Sequence, residues 1–127
     1  DGFALTGNAS EFLDPVFSSG MAFATEGGMT AAKLAIRQLN GEKIDWQTEF
    51  ADYILYGVNV FTTYVKEWYT GNLQELFFHQ PENADVKRKI CAVLAGYVWD
   101  KKNTCVRIHD TAIVNLANFI KTEKQQA

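Results

Sequence analysis

Pro15 sets the first hard limit on this chain. Its ring fixes its own φ and pushes Asp14 out of helical geometry, so no helix runs through both. Ahead of it, Phe3 to Thr6 are apolar enough for a short buried strand, which Gly7-Asn8 would end. Behind it, Ser18 or Ser19 can cap a helix, because a hydroxyl accepts a bond from a backbone N–H two or three residues on. The stretch from Gly7 to Met21 therefore has the grammar of a strand end, a loop over residues 8–17 and a helix start. A chain that opens inside a strand, on Asp1-Gly2-Phe3 and without Met, reads as a piece of a larger protein with the remainder upstream.

Everything after the loop reads as helix. The first helix runs to about Leu39, with Ala24, Met29, Ala31, Ala32, Leu34 and Ala35 as its apolar content, and Asn40-Gly41 ends it. Gly27-Gly28 inside it costs about 2 kcal/mol relative to alanine. Either the pair packs closely against a backbone or ligand, or it separates two shorter helices. Asp45 caps a second helix whose stripe is Trp46, Phe50, Tyr53, Ile54, Phe61, Tyr64, Val65 and Trp68. Gly71 stops it. Asn72-x-x-Glu75 has the spacing of a capping box before Leu76, Phe77 and Phe78, and Pro81 ends that short helix. Asn83 caps a helix carrying Val86, Ile90, Val93, Leu94, Tyr97 and Val98, with Cys91 on its buried face. Lys101-Lys102-Asn103 is a turn. Asp110 caps the last helix, with Ile113, Leu116, Ala117 and Ile120 on one face. The expected fold class is mostly α: a helical C-terminal fragment with a short N-terminal strand and loop arm, cut from a larger α/β enzyme.

Composition removes several functions. The 127 residues carry a net charge of −3, and Asp85-Val86-Lys87-Arg88-Lys89 reads as a solvated helix face, so nucleic acid is not an expected partner. No apolar run approaches the ~20 residues of a membrane span, and no signal peptide is visible. Cys91 and Cys105 have neither disulfide-scaffold nor zinc spacing and read as free thiols of a reducing, cytoplasmic compartment. His79 and His109 lack ligand-spaced partners, so no metal is expected. Glu11 and Asp14 lie three apart in a loop, which fixes no catalytic geometry; Asp14 suits a turn. No Ser-His-Asp arrangement follows from the spacing.

The loop itself can do chemistry. The opening N–H groups of a helix are donors without intrahelical partners, and the helix dipole adds partial positive charge there. Ser19, Gly20 and Met21 stand at that position, and Gly20 lets a planar ring or an anion approach the backbone. Asn8, just past a strand end, lies where polar side chains meet ligands in α/β sheets.

The run Gly7-Asn8-Ala9-Ser10-Glu11-Phe12-Leu13-Asp14-Pro15-Val16-Phe17-Ser18-Ser19-Gly20 resembles the second flavin-binding motif of flavin-dependent halogenases and related FAD monooxygenases, roughly G-D-A-A-x-F-x-D-P-x-F-S-S-G. The resemblance covers about 15 residues; the helical remainder resembles that family in character only. It implies FAD as cofactor of the intact protein, not held by this piece alone, and cofactor contacts from Gly7, Asn8, Asp14, Pro15, Ser18, Ser19, Gly20 and Met21. It places a halide near Ser19 and Gly20. The family's acid after the glycine, which bonds the ribityl chain, is here Asn8, uncharged but still able to hydrogen-bond. Phe17 stands where tryptophan-specific halogenases carry a glutamate, so the chain looks more like the phenol or pyrrole branch, or like a flavoprotein that does not halogenate.

The resemblance further implies an organisation. Residues 1–20 would close an FAD-binding domain and 18–127 would form a helical region on the substrate side. The catalytic lysine and the dinucleotide fingerprint would lie upstream, so this piece carries no catalytic residue. Its partners would be an upstream Rossmann-type domain of the same protein and a small-molecule substrate. The apolar surface left bare would make the isolated piece a symmetric dimer. Two other readings stay open: a dehydrogenase or reductase on the same flavin fold without halide chemistry, and a helical interaction module whose arm only resembles the flavin loop.

Overall fold

A computed structural model describes the chain except residues 1, 16, 18, 79–83 and 127. It divides into two units, Asp1–Val58 and Asn59–Ala127.

The first unit begins with an extended arm that turns at a short 3-10 segment, Gly7–Ala9. Thr6 sits at φ −136°, ψ 160°, yet no strand ladder forms among the described residues. The buried strand expected over Phe3 to Thr6 is thus not formed among the described residues, and both Phe3 and Leu5 lie exposed. Helix α1, Gly20–Leu39, comes after the loop. Its start agrees with the limit set by Pro15, but its cap does not work as expected. Ser19 occupies the N-cap position in helical geometry and its side chain makes no capping bond; in that geometry the hydroxyl does not reach the N–H groups two and three residues on. Ser18, the other expected cap, lies outside the described residues.

The helix runs unbroken through Gly27-Gly28. A Cβ on Gly27 would lie 3.3 Å from the Thr6 Cβ, whereas one on Gly28 would meet nothing within 4 Å. Close packing against the arm therefore accounts for Gly27 alone. Asn40 and Gly41, the latter at φ 90°, close α1 as expected from their residue types. Arg37 then ties the end of α1 to the segment behind it: its guanidinium donates to Glu42 and, at 2.7 Å, to Glu49.

Asp45 is a working cap, accepting from the N–H groups of Gln47 (3.1 Å) and Thr48 (3.2 Å). The next turn is π-helical over Gln47–Asp52 before α2, Tyr53–Tyr69. That widened turn interrupts the regular stripe expected from Trp46 to Trp68, because a π turn advances the register by an extra residue. Phe23, Leu34 and Val58 are the buried large apolar residues of this unit among the described residues.

The second unit is built on the rest of α2, where Val60, Phe61 and Tyr64 are buried, and on α3, Asn72–Phe78, α4, Ala84–Leu94, α5, Thr104–Arg107, and α6, His109–Gln126. Helix α6 packs on α3 and α5, and α5 packs on α4. Ile113, Ala117 and Ile120 are buried along α6, as its spacing required. The buried Tyr64 hydroxyl donates to the Cys105 carbonyl at 3.0 Å.

Four expectations change here. The Asn72/Glu75 capping box does not form: the Glu75 N–H bonds the Gly71 carbonyl, the Asn72 amide turns to Glu67 and Lys121, and Lys124 pairs with the Glu75 carboxylate. Long-range partners outcompete the local cap. The helix expected through Val98 stops at Leu94 because Gly96 turns at φ 96°, although Val98 still returns to the core. The turn at Lys101-Lys102 leads into α5, a short helix that the residue pattern alone does not announce; Asn103 caps it by accepting from the Cys105 N–H at 2.9 Å while donating to the Lys89 carbonyl at 2.9 Å. Asp110 therefore sits inside the first turn of α6 rather than capping it. Cys91, expected on the buried face, is exposed, one position past Ile90, which is buried; Cys105 is the buried thiol. Both are free thiols, as their spacing implied. The cap expected of Asn83 and the stop at Pro81 fall outside the described residues.

Candidate functional site

The turn that opens the loop, from Gly7 to Glu11, is clamped on one carbonyl. The Gly7 oxygen accepts from the Ser10 N–H (2.9 Å), the Glu11 N–H (3.1 Å) and the Ser10 hydroxyl (2.8 Å). Gly7 itself is buried at φ +59°, a region that costs any residue with a Cβ about 1 kcal/mol or more. Ser10 has no role of its own in the residue pattern beyond its place in the motif; in the folded chain it is the clamp of the turn.

The arm then lies along one face of α1. A Cβ on Gly20 would come 3.0 Å from Asn8 Oδ1, one on Gly7 would come 2.9 Å from the Ala24 Cβ, and one on Gly27 would meet Thr6. Residues 8, 7 and 6 thus descend past positions 20, 24 and 27. Those positions are four and three apart and so share one helix face. The signal was present as small residues at helical spacing, Gly20, Ala24 and Gly27, but spacing alone does not say what fills such a groove.

The structure brings Asn8 and Gly20 together at the start of α1. Ser19 is buried beside them at 6% exposure, Asp14 is half-buried, Pro15 is exposed in a turn, and Met21 projects at 80% exposure. Ser18 lies outside the described residues. The Phe23 N–H reaches back to the Ser19 carbonyl at 3.1 Å. The N–H groups that open the helix at Gly20 precede that bond, where helix geometry supplies no carbonyl four residues back within the helix. The N–H groups opening α1 at Gly20 and the helix dipole supply donor character, while the Asn8 amide oxygen, an acceptor, lies against Gly20. Helix-start donors of that kind suit an electron-rich ring edge or an anion.

No cluster of His, Cys, Asp and Glu fit to hold a metal occurs among the described residues. His109 Nδ1 shares a 2.9 Å hydrogen bond with the Thr63 hydroxyl, a structural use in the second unit; His79 lies outside the described residues. Glu42 and Asp85 are engaged in surface ion pairs, and Asp45 in its cap. No described helix is long and apolar enough to cross a membrane.

Comparison with known proteins agrees with the loop. No protein-family model matches the chain. It is 30% identical over 113 residues to a 1H-pyrrole-2-carbonyl-(peptidyl-carrier protein) brominase of Pseudoalteromonas luteoviolacea strain 2ta16, a match that takes 79% of this chain and 24% of the brominase. Its fold superposes with TM-score 0.92 and 48% identity on a flavoprotein/dehydrogenase from Cytophaga hutchinsonii, covering 98% of this chain and 31% of that one. The chain thus spans about a quarter and a third of these relatives. The similarity to part of a larger halogenase-like flavoenzyme is borne out by both, and so is the mostly helical class. The alternative of a helical module with no flavin connection is favoured by neither.

Proposed function

We propose that the chain is the C-terminal part of an FAD-dependent oxidoreductase of the halogenase and monooxygenase type, in which it forms one wall of the flavin pocket. The observation that carries this reading is the pairing of a specific motif with near-complete similarity, at 48% identity, to part of a flavoprotein. In this reading residues 1–20 complete the FAD-binding domain of the same protein, and 18–127 form the helical substrate side. Bound FAD supplies the redox chemistry. The chain would contribute cofactor contacts from Gly7, Asn8, Asp14, Pro15, Ser18, Ser19, Gly20 and Met21, with the N–H groups opening α1 at Gly20 able to donate to a ring edge and Asn8 able to offer a hydrogen bond. Ser19 and Gly20 line the place of a halide.

The substrate is a small molecule, the location is cytoplasmic, and neither nucleic acid nor membrane is a partner. A second reading, a dehydrogenase without halide chemistry, is supported by the solved relative, a flavoprotein/dehydrogenase. Halide-dependent product formation by the full-length protein separates the two.

The test of the flavin reading compares two samples. The full-length product of the gene should purify yellow with stoichiometric FAD. The 127-residue chain alone should bind FAD weakly or not at all, since the phosphate-binding half of a dinucleotide fold lies elsewhere. By itself it should form a dimer in light scattering. A colourless full-length protein, or a tight complex of FAD with the chain alone, contradicts the reading.

A further inference from the structure

Two polar residues are buried among the described residues, Asn103 and Ser19. Asn103 uses both ends of its amide: it donates to the Lys89 carbonyl at 2.9 Å and accepts from the Cys105 N–H at 2.9 Å. Ser19, 6% exposed, differs. Its backbone, at φ −66° and ψ −21°, is already helical, and its hydroxyl caps nothing and has no partner among the described residues. No described side-chain oxygen or nitrogen that is shut off from the surface lacks a hydrogen bond, so this hydroxyl reaches an opening at the start of α1.

An unpaired polar group on a buried residue costs stability, and each such group in a folded chain calls for an explanation. A capping serine repays that cost through its helix. Here the cap is forgone, and alanine would serve the fold as well or better. The hydroxyl instead stands beside the opening N–H groups of a 20-residue helix, whose dipole favours electron-rich groups. Gly20, next to it, has no side chain to cover those donors.

We infer that the Ser19 hydroxyl is a recognition donor. It gives a hydrogen bond to the acceptor held at the start of α1, a ring carbonyl of the flavin or a halide, and it lowers the stability of the unloaded chain. This rests on the proposed function for the ligand. It adds the side-chain atom that recognises the ligand and the sign of that atom's effect on the unloaded protein.

Full-length protein carrying Ser19→Ala or Ser19→Thr tests it, with and without FAD. Without FAD, Ser19→Ala should melt at the wild-type temperature or above it, since no bond within the chain is lost. If the acceptor is a ring carbonyl, Ser19→Ala should bind FAD about fivefold more weakly. Its two-electron midpoint potential should also fall, by about 30 mV for each tenfold loss of preference for the electron-richer reduced flavin. Ser19→Thr, which keeps the hydroxyl, should restore both. If the acceptor is a halide, the flavin readouts stay at wild-type values and a calorimetric bromide titration shows the fivefold loss instead. Unchanged affinities for FAD and bromide overturn the inference. A lower melting temperature of flavin-free Ser19→Ala also overturns it, since the hydroxyl would then be a structural group. Yellow wild-type protein with unchanged Ser19→Ala affinities rejects this inference alone. Colourless wild-type protein rejects the flavin reading, and the bromide titration then decides this one.

Discussion

Gly7 and Ala24 touch: a Cβ built on Gly7 would sit 2.9 Å from the Ala24 Cβ, and 3.3 Å from its Cα. This contact fixes the arm to α1 and so sets where Asn8 stands against Gly20. Gly7→Ala meets both a left-handed backbone, φ +59°, and a backbone neighbour that cannot rotate away. It should destabilise the chain by about 2–4 kcal/mol, the sum of the conformational cost and overpacking. Thermal unfolding of the variant checks this.

Gly28→Ala should do the opposite. A Cβ there meets nothing within 4 Å, and alanine in a helix interior gains about 1 kcal/mol over glycine. Gly27→Ala should gain less or nothing, because Thr6 must give way by a few tenths of an ångström. Paired denaturant midpoints for the two variants read out the difference.

These two glycines show how much of the fold was legible. The position of α1, its end at Asn40-Gly41 and the cap at Asp45 came from local chemistry, which a sequence displays directly. The partner of Gly27 did not, because that partner is Thr6, distant in sequence and on another element. The failed Asn72/Glu75 cap has the same origin. Asn72 and Glu75 have capping spacing, but Lys121 and Lys124 on α6 reach them. The helix read through Val98 stops instead at Leu94; the apolar spacing hid the left-handed turn that Gly96 makes. In the site, the residue types and the helix start were legible, while the Ser10 clamp on the Gly7 carbonyl needed coordinates.

Tyr64→Phe removes a buried hydroxyl that donates to the Cys105 carbonyl. The loss should cost about 1–3 kcal/mol, since the carbonyl loses a partner where water has no access. Ile113→Ala, at a fully buried position, should cost about 2–5 kcal/mol. Urea unfolding monitored by circular dichroism measures both.

Stability should fall at both ends of the pH scale. Glu42, Asp45 and Asp85 are held below the usual carboxylate range, by hydrogen bonds from Arg37, from Thr48, and from Lys89 and Arg88 respectively. Groups with depressed folded values stabilise above about pH 4 and lose that contribution as pH falls through the folded values. Glu42 and Asp45 are exposed and Asp85 half-buried at the surface, so added salt should shrink the effect. At the alkaline end, burial and then Glu26 push Tyr53 up to about 12, and burial raises Tyr64 as well. Raised values stabilise fully below about pH 10 and the contribution is lost as pH rises through the folded values. Melting temperatures across pH, at low and high salt, test the signs.

The proposed function assigns the Asn8–Gly20 edge to the flavin. FAD affinity of the full-length protein against its Gly20→Val variant measures this, with melting temperature as the control for folding. A side chain at 20 must displace Asn8 Oδ1 and cover the opening N–H groups of α1. The result expected is at least about tenfold weaker FAD binding, which corresponds to about 1.4 kcal/mol, with the protein still folded. Unchanged, stoichiometric FAD binding by the variant would contradict the assignment of this edge to the flavin.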